Sequence, residues 1–238
     1  MYAEPRLLPC GDSALSVEFG DAIDETVNAR VLSLDRKIAS QSIDGIRETV
    51  PTYRSLLIHY DPFVTTFASL KQDLIPYLRK LELSRINTNR AWSVPVVYGG
   101  EHGTDLDDLA AGNNLTPREV IERHSSVEYR VYMIGFTPGF AYLGGLNPSL
   151  ATPRRQQSRP DAPSGTISIG GEQTALQSVV GPSGWHWIGR TPLEVYAPDR
   201  NPMCLLDPGD IVRFYPIASE SWQSERERCA AMIRDAVQ

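Results

Sequence analysis

Residues 135–146 read Gly-Phe-Thr-Pro-Gly-Phe-Ala-Tyr-Leu-Gly-Gly-Leu and alternate four glycines with three aromatics directly after an expected strand. Glycines such as Gly139 let backbone N–H groups approach a ligand or a second chain closely, while Phe136, Phe140 and Tyr142 supply rigid apolar surface with little entropy to lose. The stretch builds either a wall around a ligand or a tight turn that buries its own rings. The chemistry it would shelter comes from polar residues on neighbouring turns. His124 ends an expected helix, where the dipole favours a cation, so it is a base or a capping group for the last carbonyls. Arg154 and Arg159 lie in a proline-bounded loop, and Arg190 sits between Gly189 and Thr191 near Trp185 and Trp187. A guanidinium can clamp a carboxylate or phosphate. The alternative is a solvated surface for Arg154 and Arg159, and an ion pair or ring stack for Arg190.

Other chemistries are excluded by what is missing. The three lysines are Lys37, Lys71 and Lys80, so the later part of the chain holds no Walker A, Schiff-base or biotin-bearing lysine. Gly99-Gly100-Glu101-His102-Gly103 lacks the Lys-Ser/Thr of a phosphate-binding loop, and Gly181-Pro182-Ser183-Gly184-Trp185 lacks the last glycine of a nucleophile elbow. The four histidines show no HxH or HxxxH spacing and the three cysteines no CxxC, so no metal site is expected and a reducing compartment is. A net charge of −6 supplies no diffuse positive field for nucleic acid. No apolar run is long enough to span a membrane, and no charged segment with an apolar core opens the chain, so a cytoplasmic protein is expected.

Positioning these groups requires two kinds of element. Leu15, Val17 and Phe19 alternate as on a strand, and Ile23, Val27, Val31, Leu34 and Ile38 then repeat at helical spacing. Residues 46–50 and 53–60 read as two strands, and Phe67, Leu70, Leu74, Leu78 and Leu81 mark a second helix that Pro76 threatens. This β-α-β-β-α order predicts a ferredoxin-like α+β domain over residues 1–85. The polar stretch 84–91 suits a linker, set at 86–91. From residue 92 to 238, β-rich runs at 94–98, 130–134, 166–169, 175–180, 187–188, 193–196 and 211–215 alternate with Gly/Pro turns and predict a barrel or sandwich. One helix is expected from Thr116-Pro117-Arg118-Glu119, with Thr116 capping and Glu119 closing a capping box. A C-terminal helix gathers Trp222, Cys229, Ile233 and Val237 on one face.

Several stretches along nearly the whole chain then carry a resemblance: Gly11-Asp12-Ser13-Ala14-Leu15, Val50-Pro51-Thr52-Tyr53-Arg54-Ser55-Leu56, Pro95-Val96-Val97-Tyr98-Gly99-Gly100-Glu101, the run from Tyr129 to Phe140, and the run from Gly184 to Pro192. They resemble the KipI-type family, also called allophanate hydrolase subunit 1, whose members include the B-type subunit of bacterial 5-oxoprolinase. The resemblance implies a small α+β domain followed by a cyclophilin-like β-barrel. It also implies a KipA-type partner with a related barrel and a third, A-like subunit. The activity implied is opening of 5-oxoproline to L-glutamate at the expense of ATP, which the assembled complex binds, with the isolated chain inactive. By the same analogy Glu101 and His124 are candidate proton-transfer groups. Arg154, Gln173 and Arg190 orient substrate or hold anions beside Phe136, Gly139, Phe140 and Tyr142. Two other readings stay open: a regulatory protein that inhibits a histidine kinase, and a subunit of an allophanate- or urea-type amide hydrolase. A prolyl isomerase is suggested by barrel analogy alone.

Overall fold

The computed structural model describes residues 1–41, 43–79, 81 and 90–237. The chain divides into two compact units, Met1–Thr88 and Asn89–Gln238. Most of the linker expected at 86–91 lies outside the described residues.

In the first unit, strands β1 (Arg6–Pro9) and β2 (Ala14–Glu18) precede helix α1 (Glu25–Ala39). Strands β3 (Ile46–Pro51) and β4 (Ser55–Tyr60) and helix α2 (Phe67–Arg79) follow. The sheet is antiparallel in the order β1-β2-β4-β3. Alternation places Leu15 and Val17 of β2 and Leu56 and Ile58 of β4 in one apolar cluster with Val27, Val31, Leu34 and Ile38 of α1 and Leu70 and Leu74 of α2. Helix α1 begins where the Asp24 carboxylate accepts the Val27 N–H at 2.9 Å, so Ile23 falls before the helix and is exposed. Helix α2 continues through Pro76, forgoing the hydrogen bond that an N–H there would make. Strand β1, which the sequence did not suggest, adds an edge beside β2.

The second unit is built on a barrel. Its elements are β5 (Ala91–Tyr98), α3 (Leu106–Gly112), α4 (Pro117–Ser125), β6 (Tyr129–Ile134), β7 (Ala141–Gly144), β8 (Arg159–Ala162), β9 (Thr166–Gly170), β10 (Gln173–Leu176), β11 (Gly181–Ser183), β12 (His186–Arg190), β13 (Ile211–Pro216) and α5 (Trp222–Val237). The closed barrel runs β10-β7-β6-β13-β5-β12-β9, and β8 and β11 form a separate two-stranded sheet. Among the described residues, only β13 and β5 pair in parallel within the barrel. Val94, Val96, Val131, Leu143, Ile167, Ile169, Ile188 and Phe214 point inward into one buried cluster.

Three sequence expectations are corrected here. The glycine-aromatic stretch is not all loop, because Ala141–Gly144 is barrel strand β7. The run 193–196 forms no strand and contributes an isolated bridge from Tyr196 to Cys204. Strand β10 ends at Leu176, not at Val180. Helix α4 starts as its sequence demands: the Glu119 N–H donates to Thr116 Oγ1 at 3.2 Å, and Glu119 Oε2 accepts the Thr116 N–H at 2.7 Å. Helix α5 buries Cys229 and Ile233 in the barrel cluster; the side chain of Val237 lies outside the described residues.

Candidate functional site

Strand β7 and the turn before it present an aromatic wall on the outer face of the barrel. Gly135 N–H bonds Phe140 C=O and Phe140 N–H bonds Thr137 C=O, at 3.1 Å each, closing a tight turn over residues 135–140. Gly139 turns with φ +76°, and a Cβ there would lie 2.8 Å from Tyr196 Cβ. Phe136 is held at φ +69° and remains 62% exposed. A bulky side chain in that region costs about 1–3 kcal/mol, strain that clusters at functional positions. Ring centroids stand 5.6 Å apart for Phe136 and Phe140, 4.7 Å for Phe140 and Tyr142, and 5.9 Å for Tyr142 and Trp185. Register explains the cluster: Tyr142 pairs with Ala175, which packs against Phe140, Tyr142 and Trp185.

Arg154 stands over this wall, its Cζ 5.5 Å from the Trp185 ring centroid. Its loop is pinned on both sides. Thr152 and Gly171 exchange backbone hydrogen bonds, and the Arg155 N–H donates to Gly184 C=O at 2.8 Å. Among the described residues no carboxylate pairs with Arg154. Burial raises the Tyr142 hydroxyl above its ordinary pKa, against the pull of Arg154. The groove has a cavity volume of about 360 Å³, and no Asp or Glu lines it among the described residues. An aromatic wall with one unpaired guanidinium accommodates a small apolar ring that carries a single negative charge.

Asp105 braces the same loop from within. It is 2% exposed. Its oxygens accept from Arg159 Nη1 and Nη2 at 2.7 Å each, from Arg155 Nη1 at 2.9 Å and from the Trp187 N–H at 2.8 Å. Burial pushes this carboxyl up, but the Arg159 hydrogen bonds, the Trp187 amide and the two arginine charges outweigh it, and the net pKa lies below the usual carboxylate range. Arg159, read as solvated or ligand-facing, is instead drawn into this ion pair and lies 4.4 Å over the Trp187 ring.

Glu101 and Arg190 line a different groove, of about 630 Å³. Arg190 Nε donates to Ser164 C=O at 2.9 Å, and its Cζ lies 5.3 Å from the Trp222 ring. His102 stacks on Trp222 with centroids 4.9 Å apart, and Glu101 Oε1 lies 3.6 Å from His102 Nε2. The two grooves share no lining residue among the described residues.

His124 lies in neither groove. It shares the core face of α4 with Val120 and is fully buried, stacked on Phe214 with centroids 4.9 Å apart. Thr174 Oγ1 donates to Ser168 C=O at 3.0 Å, so His124 Nε2–H must donate to Thr174 Oγ1, 3.0 Å away, leaving Nδ1 to accept from Tyr98 Oη at 2.8 Å. Burial drives its pKa down to about 3. The cation expected at this helix end is therefore absent, because desolvation outweighs the dipole. Gln173 is 9% exposed on β10, and its Nε2 has no hydrogen-bond partner among the described residues.

Residues 5–206 match the family described as carboxyltransferase domain, subdomain C and D. The chain belongs to that family. This carboxyltransferase-type chain is 48% identical over 209 residues to the 5-oxoprolinase B-type subunit of Escherichia coli O157:H7, covering 87% of this chain and 93% of that protein. It is 38% identical over 227 residues to the corresponding 5-oxoprolinase B-type subunit of Bacillus subtilis strain 168, covering 91% and 95%. The crystal structure of TTHA0988 matches with a TM-score of 0.77 at 32% identity over 87% of this chain, which spans 40% of the TTHA0988 chain. Within this family member, the sequence alone singled out Phe136, Phe140, Tyr142 and Arg154, which meet in one groove, but missed Trp185 as their floor. The signal was there, since Trp185 and Trp187 alternate with His186 and Ile188 and so share the outer face. Asp105 gave no local signal for its pairing with Arg159.

Proposed function

We propose that this chain is the B-type subunit of a cytoplasmic, ATP-dependent 5-oxoprolinase that opens 5-oxoproline to L-glutamate, with a KipA-type partner and a third, A-like subunit completing the enzyme. The observation that carries the reading is the unpaired Arg154 over the Trp185 platform. 5-Oxoproline is a five-membered lactam with one carboxylate, which matches a groove offering ring faces and, among the described residues, a guanidinium with no carboxylate partner. Arg154 holds the carboxylate, and Phe140, Tyr142 and Trp185 hold the ring. Phe136, exposed at the rim, meets the partner and excludes water. The family identity and the names of its relatives support the same assignment.

A lactam is a stable amide, and ATP supplies the phosphoryl group that turns its carbonyl oxygen into a leaving group. The barrel unit has no phosphate-binding loop with its lysine, so nucleotide binding is assigned to the assembled complex and the isolated chain is inactive. On this reading the first unit is ferredoxin-like, the linker is 86–91, and the barrel is cyclophilin-like. His124 acts as a core residue and takes no part in proton transfer. The test is to co-express the chain with KipA-type and A-like subunits, purify the assembly, and measure ADP and glutamate release on adding 5-oxoproline. Coupled release from the full assembly supports the reading. A stable assembly with neither product overturns it.

A further inference from the structure

The two grooves differ in the charges they offer. The aromatic groove has an unpaired arginine and no carboxylate lining it among the described residues. The second groove brings Arg190 and Arg226 together with Glu101 and Glu194, beside Trp222. No carboxylate pairs with Arg190 or Arg226 among the described residues. Arg190 is already oriented, with Nε on Ser164 C=O at 2.9 Å and its Cζ 5.3 Å from the Trp222 ring centroid, which leaves its terminal N–H groups as a fork for a carboxylate.

We propose that this second groove is a separate binding site for a free acidic α-amino acid, whose ligand is the reaction product, L-glutamate. The inference rests on the 5-oxoprolinase reading and deepens it. Ring opening changes the charge pattern of the molecule: the lactam nitrogen, a neutral amide, becomes an ammonium, and a second carboxylate appears. An ammonium in the aromatic groove would be desolvated beside Arg154 with no carboxylate to meet it, which is costly. In the second groove Glu101 and Glu194 face the ammonium, while Arg190 and Arg226 face the two carboxylates. The chain thus distinguishes substrate from product by charge and holds each in its own groove.

Calorimetric titration of the full-length chain and of the assembled complex tests this, with L-glutamate, glutarate and 5-oxoproline as probes. L-Glutamate is expected to bind. Arg190→Lys and the exposed Glu101→Gln should each weaken it roughly tenfold or more, with Tm unchanged in Glu101→Gln. Glutarate, which lacks the ammonium, should bind roughly tenfold more weakly and be indifferent to Glu101→Gln. 5-Oxoproline should not displace L-glutamate. Absence of L-glutamate binding, affinity that survives both substitutions, or equal affinity for glutarate overturns the inference. Turnover of 5-oxoproline by the complex without L-glutamate binding sinks this site and leaves the proposed function standing; binding without turnover does the reverse.

Discussion

The Arg154 guanidinium carbon lies 5.5 Å from the centroid of the Trp185 ring, and Trp185 is itself 7% exposed. A mobile surface cation is thereby given a fixed platform, and its hydrogen-bonding edge stays open to a ligand. Removing it with Arg154→Ala deletes a charge-assisted contact of about 1.5–3 kcal/mol, which corresponds to roughly a ten- to hundredfold loss. The loss should fall on KM for 5-oxoproline in the assembled complex, with Tm unchanged because the side chain is exposed. Arg154→Lys keeps the charge, loses the forked guanidinium over the Trp185 ring and should lie between. Steady-state kinetics decide; a wild-type KM in the alanine variant would remove the substrate from this groove.

Asp105 joins helix α3 to the loop that carries Arg154. Asp105→Asn leaves Arg155 and Arg159 without their counter-charge, and breaking a buried pair of this kind costs about 3 kcal/mol. The pH dependence has a definite sign. The folded pKa is depressed, so the stabilisation is fully present above the unfolded value near 4 and is lost as pH falls through the folded value. Urea unfolding of the wild type and Asp105→Asn at neutral pH and below pH 4 should show the difference shrinking in acid. A constant difference would mean that the carboxyl titrates alike in the folded and unfolded chain and that its pKa is not depressed by the arginines.

How far the sequence reveals this molecule follows from how local each cause is. Helix α4 was legible because Thr116, Pro117 and Glu119 state its start within four residues. Strands β2 and β4 were legible because their alternation serves a single buried face. Strand β7 was hidden because a four-residue strand with Ala141 and Gly144 at its ends resembles a turn by composition. Helix α3 is seven residues long, with two aspartates in its first turn, too short to display a period. The aromatic half of the site was visible in the spacing of Phe136, Phe140 and Tyr142. Its division from Glu101 and Arg190 was not, because barrel closure brings residues together through pairings such as Gly189 with Tyr98, which no local pattern encodes. Val120 and His124, four apart on one helix face, were the available sign that His124 belongs to the core.

His124 makes a second pH prediction, of different origin. An imidazole titrates near 6.5 when unfolded and at about 3 in this core. Between these values the unfolded chain binds the extra proton, so the folded state loses stability as pH falls from 6.5 toward 3, by up to about 1.4 kcal/mol per pH unit. His124→Gln leaves Tyr98 or Thr174 poorly satisfied and should cost about 2–4 kcal/mol at pH 7.5, with a smaller deficit at pH 4.5. Chemical denaturation at the two pH values measures this, and a deficit that does not shrink in acid would show that the folded imidazole takes up its proton as readily as the unfolded one.

Gly170 sets the depth of the aromatic groove. A Cβ at this position would lie 2.5 Å from Trp185 Cδ2 and 2.6 Å from Cγ, so the indole rests on bare backbone and even one methyl group must lift it. Gly170→Ala should destabilise the barrel by about 1–3 kcal/mol, as overpacking does. It should also raise KM for 5-oxoproline, because the platform under Arg154 moves with the ring. The two substitutions act on one contact, so Gly170→Ala combined with Arg154→Ala should raise KM by less than the product of the single effects. Multiplicative effects would separate the Trp185 platform from substrate binding and leave Gly170 a packing residue alone.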